Sequence, residues 1–314
     1  MTQSLAFVFP GQGSQAVGML SELADRYAVV RTTFEEASQI LGYDLWQLVQ
    51  EGPAETLNQT DKTQPAILTA SVALWRVWQE LEGPRPSVVA GHSLGEYSAL
   101  VCAGAIGFAD AVRLVKLRGE FMQEAVPEGV GAMSAILALA DDKIEEACQL
   151  TAEGDVVSPV NYNCPGQVVI AGNKAAVERA GAKCQEFGAK KVVPLPVSVP
   201  SHCALMKPAA ERLAAELDNI VIEEPRIPVV QNVDGQPQTN VDTIRENLLA
   251  QLYSPVRWVS CMQYMIDQGV DTTVECGPGK VLSGLNKKIQ RSLKVLAVND
   301  PEALTSTIEL VKGA

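Results

Sequence analysis

Residues 88–105 read VVAGHSLGEYSALVCAGA. Val88 to His92 is an apolar run of strand length, and Leu94 to Ala105 is rich in small residues and reads as a helix. Between them, Gly91-His92-Ser93-Leu94-Gly95 fits the pattern G-x-S-x-G. Placed between a strand and a helix, that pattern is a nucleophile elbow. The glycines let the chain turn sharply, and the serine hydroxyl then projects from the sheet edge above a helix N-terminus. The N–H that follows the serine, on Leu94, faces the place where an oxyanion would develop. A donor aimed there in advance is worth roughly 3 kcal/mol.

A serine is nucleophilic at neutral pH only beside a base. The chain has two histidines, His92 and His202. His92 adjoins Ser93, so its side chain is expected to point away from the serine oxygen. By elimination His202, in Pro200-Ser201-His202, becomes the expected base. Serine before histidine is also the chain order of the α/β-hydrolases. No carboxylate declares itself by spacing as the group that orients the imidazole, and a backbone carbonyl would serve equally.

Working outward, Ala111, Leu114, Val115 and Met122 recur at helical spacing, and Arg118 falls in the middle of their apolar stripe. Arg113, Lys116, Glu120 and Glu124 take the opposite, solvent-facing side. An arginine on an apolar face needs a partner, since a buried unpaired charge is costly. Two partners are open: an internal salt bridge, with Glu96 as the candidate, or the carboxylate of a substrate gripped by the two-pronged guanidinium. Phe9-Pro10-Gly11-Gln12-Gly13-Ser14-Gln15 closes the first strand. Gly11-x-Gly13-x-x-Ala16 superficially fits a dinucleotide fingerprint. The fingerprint also needs a second strand ending in an acid about 20 residues later, where this chain looks helical. The loop is better placed to lend backbone N–H groups to an oxyanion, which makes Gln12 the second expected donor.

The rest of the chain alternates. Leu5–Phe9 reads as a buried strand, and Val17 to Gln50 as largely helical. Thr63 to Leu81 reads as a helix with Pro65 in its first turn, and Ala109 to Ala125 as another helix. From 128 to 199 the order is strand (131–139), helix (141–151, opened by a carboxylate cap), strand (156–163), strand (167–172), helix (174–187), strand (190–197). That is the β-α-β-β-α-β unit of ferredoxin-like folds. A helix to Leu217, a strand over 227–232, helices over 241–252 and 258–268 and a strand over 271–275 follow. The expected fold class is α/β: an α/β-hydrolase-like large domain with a mostly parallel sheet, 1–127 and 200–314, plus an inserted ferredoxin-like small domain, 128–199.

Composition excludes several classes. With 314 residues, 47% hydrophobic and 20% charged, the chain is ordinary globular protein. No apolar run approaches the ~20 residues of a membrane span, and the first residues lack the basic start of a signal peptide. Seven scattered cysteines with no CxxC pair predict neither disulfides nor a metal site, and hence a cytoplasmic protein that works without metal or other cofactor. A net charge of −12 argues against nucleic acid as a partner.

FPGQGSQ at 9–15, TQPAI at 63–67, GHSLGEYSALVCAG at 91–104, the Arg118 helix, VSVPSHCALMKPA at 197–209 and ECGPGKVL at 275–282 occur in this order. Together they resemble the malonyl-CoA:acyl carrier protein transacylases of bacterial type II fatty acid synthesis. The resemblance runs over essentially the whole chain. It implies transfer of malonyl from malonyl-CoA to the phosphopantetheine thiol of acyl carrier protein, with Ser93 as nucleophile and His202 as base. It also implies an oxyanion hole of the Gln12 and Leu94 amides, and Arg118 on the malonyl carboxylate. The resemblance further implies that the Gln251 carbonyl holds the imidazole of His202, that Gln64 lines the acyl pocket and that Asn163 borders the cleft. A serine hydrolase or thioesterase, a polyketide acyltransferase subunit and a non-catalytic carrier-binding module are the rival readings. An acidic carrier meeting an acidic chain requires a local basic patch, expected at Lys190-Lys191 or Lys287-Lys288-Arg291.

Overall fold

A computed structural model describes residues 4–197 and 199–313. Met1 to Gln3, Ser198 of the stretch 197–209 and Ala314 lie outside the described residues. Two sheets organise the chain. The first contains β1 (Leu5–Phe9) and β2 (Val88–Gly91). The second contains β3 (Gly131–Leu137), β4 (Val157–Cys164), β5 (Gln167–Asn173) and β6 (Lys191–Pro194). The chain then returns to the first sheet with β7 (Val229–Val230), β8 (Thr272–Glu275) and β9 (Lys294–Ala297).

The first sheet has the order β7-β2-β1-β8-β9, and every pair in it is parallel. All its strands but the edge strand β9 are buried on both faces, which is why Leu5–Phe9 is apolar at every position. Phe7, Phe9 and Val89 join a core with the helices Thr60–Glu80, Gly95–Cys102 and Phe108–Ala125. Ala6, Val8 and Ala90 face the helices Trp258–Asp267 and Val281–Ile289. The second sheet is antiparallel in the order β4-β5-β3-β6. The helices Asp141–Thr151 and Lys174–Glu186 cover one of its faces through Ile144, Cys148, Val177 and Cys184. The other face, with Met133, Val160 and Val169, packs on Cys203, next to His202. Strand β4 also bonds across to the first layer: Tyr162 N–H donates to the Val256 carbonyl at 3.0 Å, and Val256 N–H to Val160 at 2.8 Å.

Several local expectations change. Val17–Gln50 is broken into helices Ser21–Arg26, Ala28–Leu41 and Leu45–Glu51, the second stopped by Gly42 at φ 77°. The long helix begins at Thr60, so Pro65 lies in its second turn and leaves the Asp61 carbonyl without its helical N–H. Helix Asp141–Thr151 has Ala140 at its N-cap and no side-chain cap; Asp141 and Asp142 act inside the first turn, on the helix dipole. The strand read over 227–232 is two residues long, Val229–Val230. After the turn at 276–279 the chain adds helix Val281–Ile289, strand β9 and helix Pro301–Lys312, none of which the sequence reading marked.

Candidate active site

The carboxyl ends of β1 and β2 lie side by side, with Phe9 in register with Gly91. The loops that follow them, Pro10–Gly13 and His92–Leu94, therefore start from one edge of the sheet, where open α/β sheets form their crevices. The glycines of the turn are required by contact. A Cβ on Gly95 would sit 2.0 Å from the Phe9 carbonyl oxygen, and one on Gly91 would sit 1.9 Å from the Gly95 carbonyl. A Cβ on Gly11 would lie 2.5 Å from the His92 carbonyl oxygen. Ser93 itself has φ 53°, in the left-handed region that a residue with a Cβ seldom occupies. Helix Gly95–Cys102 starts directly behind it.

His202 Nε2 lies 2.7 Å from Ser93 Oγ, 109 residues away in sequence. On the other side of the ring, Nδ1 is 2.7 Å from the Gln251 carbonyl oxygen. That carbonyl accepts only, so Nδ1 carries the proton and Nε2 presents its lone pair to the serine. His202 also has positive φ, 65°, and its own N–H donates to the Leu252 carbonyl at 2.9 Å. Burial, and then the charge of Arg118, pushes its pKa down from 6.5 to about 3. The imidazole is therefore neutral, and able to take a proton, across the physiological range. His92 points away from the serine, with its Nε2 2.8 Å from Asn163 Oδ1. Asn163 thus ties β4 to the turn through a histidine that lines the cleft, and Asn161 of the same strand lines it too.

Arg118 is 1% exposed. It reaches the site because Gly119 lets helix Phe108–Ala125 cross close over helix Thr60–Glu80: a Cβ there would be 2.6 Å from Asp61 Cα. Its guanidinium donates to Gln64 Oε1 at 2.8 Å, Gln251 Oε1 at 3.0 Å and Ser93 Oγ at 3.5 Å. All three acceptors are neutral. The salt bridge with Glu96 does not form; Glu96 instead accepts from the Asn232 N–H at 2.7 Å and from Gln231 Nε2 at 3.2 Å. Among the described residues no carboxylate pairs with Arg118. A cavity of about 110 Å³ opens above the pair, walled by Gln12, Arg118, Met122, Met133, Asn161 and Val199 among others. Strands of the second sheet and the loops that follow β1 and β2 line it. A larger cavity of about 810 Å³, around Trp75, Arg76, Phe108 and Arg226, holds neither serine nor histidine. It opens near Arg85 and Ile227, which precede β2 and β7 at the amino ends of the sheet, away from the Ser93 turn.

The chain matches the acyl transferase domain family over residues 6–305. It is 63% identical over 310 residues to the malonyl CoA-acyl carrier protein transacylase of Escherichia coli strain K12, covering 99% of this chain and 100% of that one. The chain belongs to the malonyl CoA-acyl carrier protein transacylase family. Among solved structures, it is similar to an acyl carrier protein S-malonyltransferase from Vibrio cholerae, at 61% identity and a TM-score of 0.96, covering 97% of this chain and 100% of the other. It is also similar to a malonyl-transacylase solved in complex with a type II polyketide synthase acyl-carrier protein, at 58% identity and a TM-score of 0.97, covering 98% and 100%. These likenesses extend to the α/β architecture with one mostly parallel and one antiparallel sheet.

Gln231 and Asn232 carry no role in the sequence reading, and Glu96 only that of a partner for Arg118; all three are fully buried around the Ser93 turn. The available signal was the polar pair Gln231-Asn232 directly after apolar Val229-Val230, at the carboxyl end of a sheet strand. Among the described residues there is no cluster of three or more metal-binding side chains, and no helix is long and apolar enough to cross a membrane.

Proposed function

We propose that this protein moves a malonyl group from malonyl-CoA to the phosphopantetheine thiol of acyl carrier protein, by a ping-pong cycle through a malonyl ester on Ser93. The single observation that carries this reading is the buried guanidinium of Arg118, close to Ser93 Oγ and lacking any carboxylate partner among the described residues. A buried cation left open toward a cleft calls for an anionic ligand, and the free carboxylate of a malonyl thioester supplies one in two-pronged form.

Ser93 Oγ attacks the thioester carbonyl while its proton passes to His202 Nε2, and the imidazolium so formed is steadied by the Gln251 carbonyl. The oxyanion is met by the N–H groups of Gln12 and Leu94. The C–S bond then breaks, and coenzyme A leaves as a thiol with the proton from His202. In the second half the carrier's thiol gives its proton to His202 and attacks the ester, restoring Ser93. Gln64 holds Arg118 in place, and Asn163 steadies His92 at the cleft border. No metal or other cofactor enters any step. The carrier and the coenzyme A phosphates meet the exposed lysines at 190–191 and 287–288 and the exposed Arg291. We read the two sheets as a discontinuous α/β-hydrolase-like domain, 1–127 and 200–314, and a ferredoxin-like insertion, 128–199. The pathway served is fatty acid synthesis in the cytoplasm, with neither membrane nor nucleic acid as a partner.

Intact-mass measurement after mixing with malonyl-CoA should show a malonyl adduct that Ser93→Ala lacks and that added carrier protein removes. Arg118→Ala should slow malonyl transfer about 10²-fold, the worth of a lost charge-assisted hydrogen-bond pair, while acetyl transfer changes far less. Equal losses for both acyl groups would show that Arg118 serves only the fold.

A further inference from the structure

The strained turn at Ser93 is gripped by a side chain that the acyl-transfer steps do not use. Ser93 N–H donates to Asn232 Oδ1 at 2.7 Å, and Asn232 Nδ2 donates to the Gly91 carbonyl at 2.7 Å. One planar amide thus holds the chain on both sides of the turn. Asn232 is fully buried and sits just beyond β7, the neighbour of β2. Its own N–H is held by Glu96 Oε2, and the other Glu96 oxygen accepts from Gln231. Gln231 is in turn fixed by Asn247, whose Nδ2 donates to it at 2.9 Å. Glu96 lies three residues after Ser93 in the first turn of helix Gly95–Cys102, so the ring of bonds closes on the turn it braces. Gln251 joins the ring: its Nε2 donates to the Ser93 carbonyl at 3.0 Å while its carbonyl holds His202.

A non-glycine residue held at positive φ costs on the order of 1–3 kcal/mol and persists only where its surroundings over-determine it. The bonds from Asn232 and Gln251 supply that over-determination. They also fix a direction. With the Ser93 N–H turned into the protein toward Asn232, the next N–H, on Leu94, has no protein acceptor among the described residues. We infer that Asn232, itself oriented by Glu96, is a positioning residue for Ser93: it aims the serine oxygen and the Leu94 N–H together without touching the acyl group. This rests on Ser93 being the nucleophile.

The test uses the full chain, with steady-state malonyl transfer and the rate at which an uncharged fluorophosphonate labels Ser93, the labelled residue being mapped by mass spectrometry. Asn232→Ala should lower kcat about 10²-fold, the size of effect that slight misplacement of a reacting group produces. KM for malonyl-CoA should stay within about threefold, because Arg118 and Gln64 keep their bonds, and labelling should slow in proportion to kcat. Glu96→Gln keeps the shape of the side chain but sets its amide against the donating amide of Gln231; it should slow both rates about tenfold. If both variants labelled Ser93 at the wild-type rate, or if KM rose by as much as kcat fell, the positioning role would be refuted while the nucleophile reading stood. Labelling of the wild-type protein at another residue would overturn both.

Discussion

The turn that carries Ser93 and the turn that carries His202 solve one problem by different means. Each holds a side-chain-bearing residue at positive φ, 53° and 65°. The Ser93 turn does so by close approach of backbone, through Gly91, Gly95 and Gly11, with the Asn232 amide as a brace. The His202 turn has no glycine within it. Bonds from a distant segment hold it: the Leu252 carbonyl takes the His202 N–H, and the Gln251 carbonyl takes the imidazole. Steric necessity writes glycines into a sequence, whereas a bond to a remote carbonyl leaves no mark, since every residue has a carbonyl. One turn announces itself and the other is found by elimination.

If the His202 turn is held through its backbone, removing the imidazole should cost chemistry and spare the fold. His202→Ala should slow formation of the malonyl adduct by roughly 10²–10⁴-fold, the usual contribution of a positioned general base. Its melting temperature should stay close to wild type, because alanine keeps the backbone bond and pays the same strain at φ 65° that histidine does. Rapid-quench measurement of the adduct beside thermal unfolding separates the two quantities. Unfolding of the variant at ambient temperature would show that the side chain, and not the backbone, carries this turn.

The opposite pattern is expected at the Ser93 turn. Gly95→Ala forces a methyl to 2.0 Å from the Phe9 carbonyl oxygen, between two backbones of the central sheet with nowhere to move. A destabilisation of about 3 kcal/mol or more should follow. Gly13→Ala is the control: it has φ 101° but nothing within 4 Å of the added carbon, so only the backbone strain of about 1 kcal/mol remains. Denaturant titration of the pair reads the contact term directly. Similar losses at both would mean that the sheet and the turn shift to relieve the crowding at Gly95.

The same distinction explains what was legible in the chain. Strands β1 and β2 were readable because they are buried on both faces and so apolar throughout; β9, with Lys294 at its start and only Ala297 fully buried, carries little such signal. Arg118 stood out because a charge interrupts an apolar stripe. Which group it meets depended on Gly119 bringing two helices together, a fact of packing between segments more than 50 residues apart in the chain. Asn232 stayed hidden for a similar reason. A polar residue after a strand ordinarily marks the end of burial, and only the assembled sheet shows that the carboxyl end of β7 points into the Ser93 turn.

The smallest effect sets a buried acid of one turn against the buried base of the other. Burial pushes Glu96 up from 4.5 to about 7, while burial and Arg118 push His202 down from 6.5 to about 3. Between about 3 and 6.5 the unfolded chain binds a proton that folded His202 does not, so His202 makes stability rise with pH there, reaching its full value above 6.5. Between 4.5 and about 7 folded Glu96 keeps a proton that the unfolded chain releases, so its contribution is complete below 4.5 and is lost as pH rises. The two slopes oppose each other from 4.5 to 6.5, at about 1 kcal/mol per pH unit each. Glu96→Gln removes one of them. The unfolding free energy of that variant minus that of wild type should therefore climb with pH across this window, and for His202→Ala the same difference should fall. Subtraction cancels every surface carboxylate the proteins share, so urea titrations at a few pH values suffice. A difference that stayed level for Glu96→Gln would mean that Glu96 titrates like an exposed acid, and that the brace behind the Ser93 turn is already charged well below neutrality.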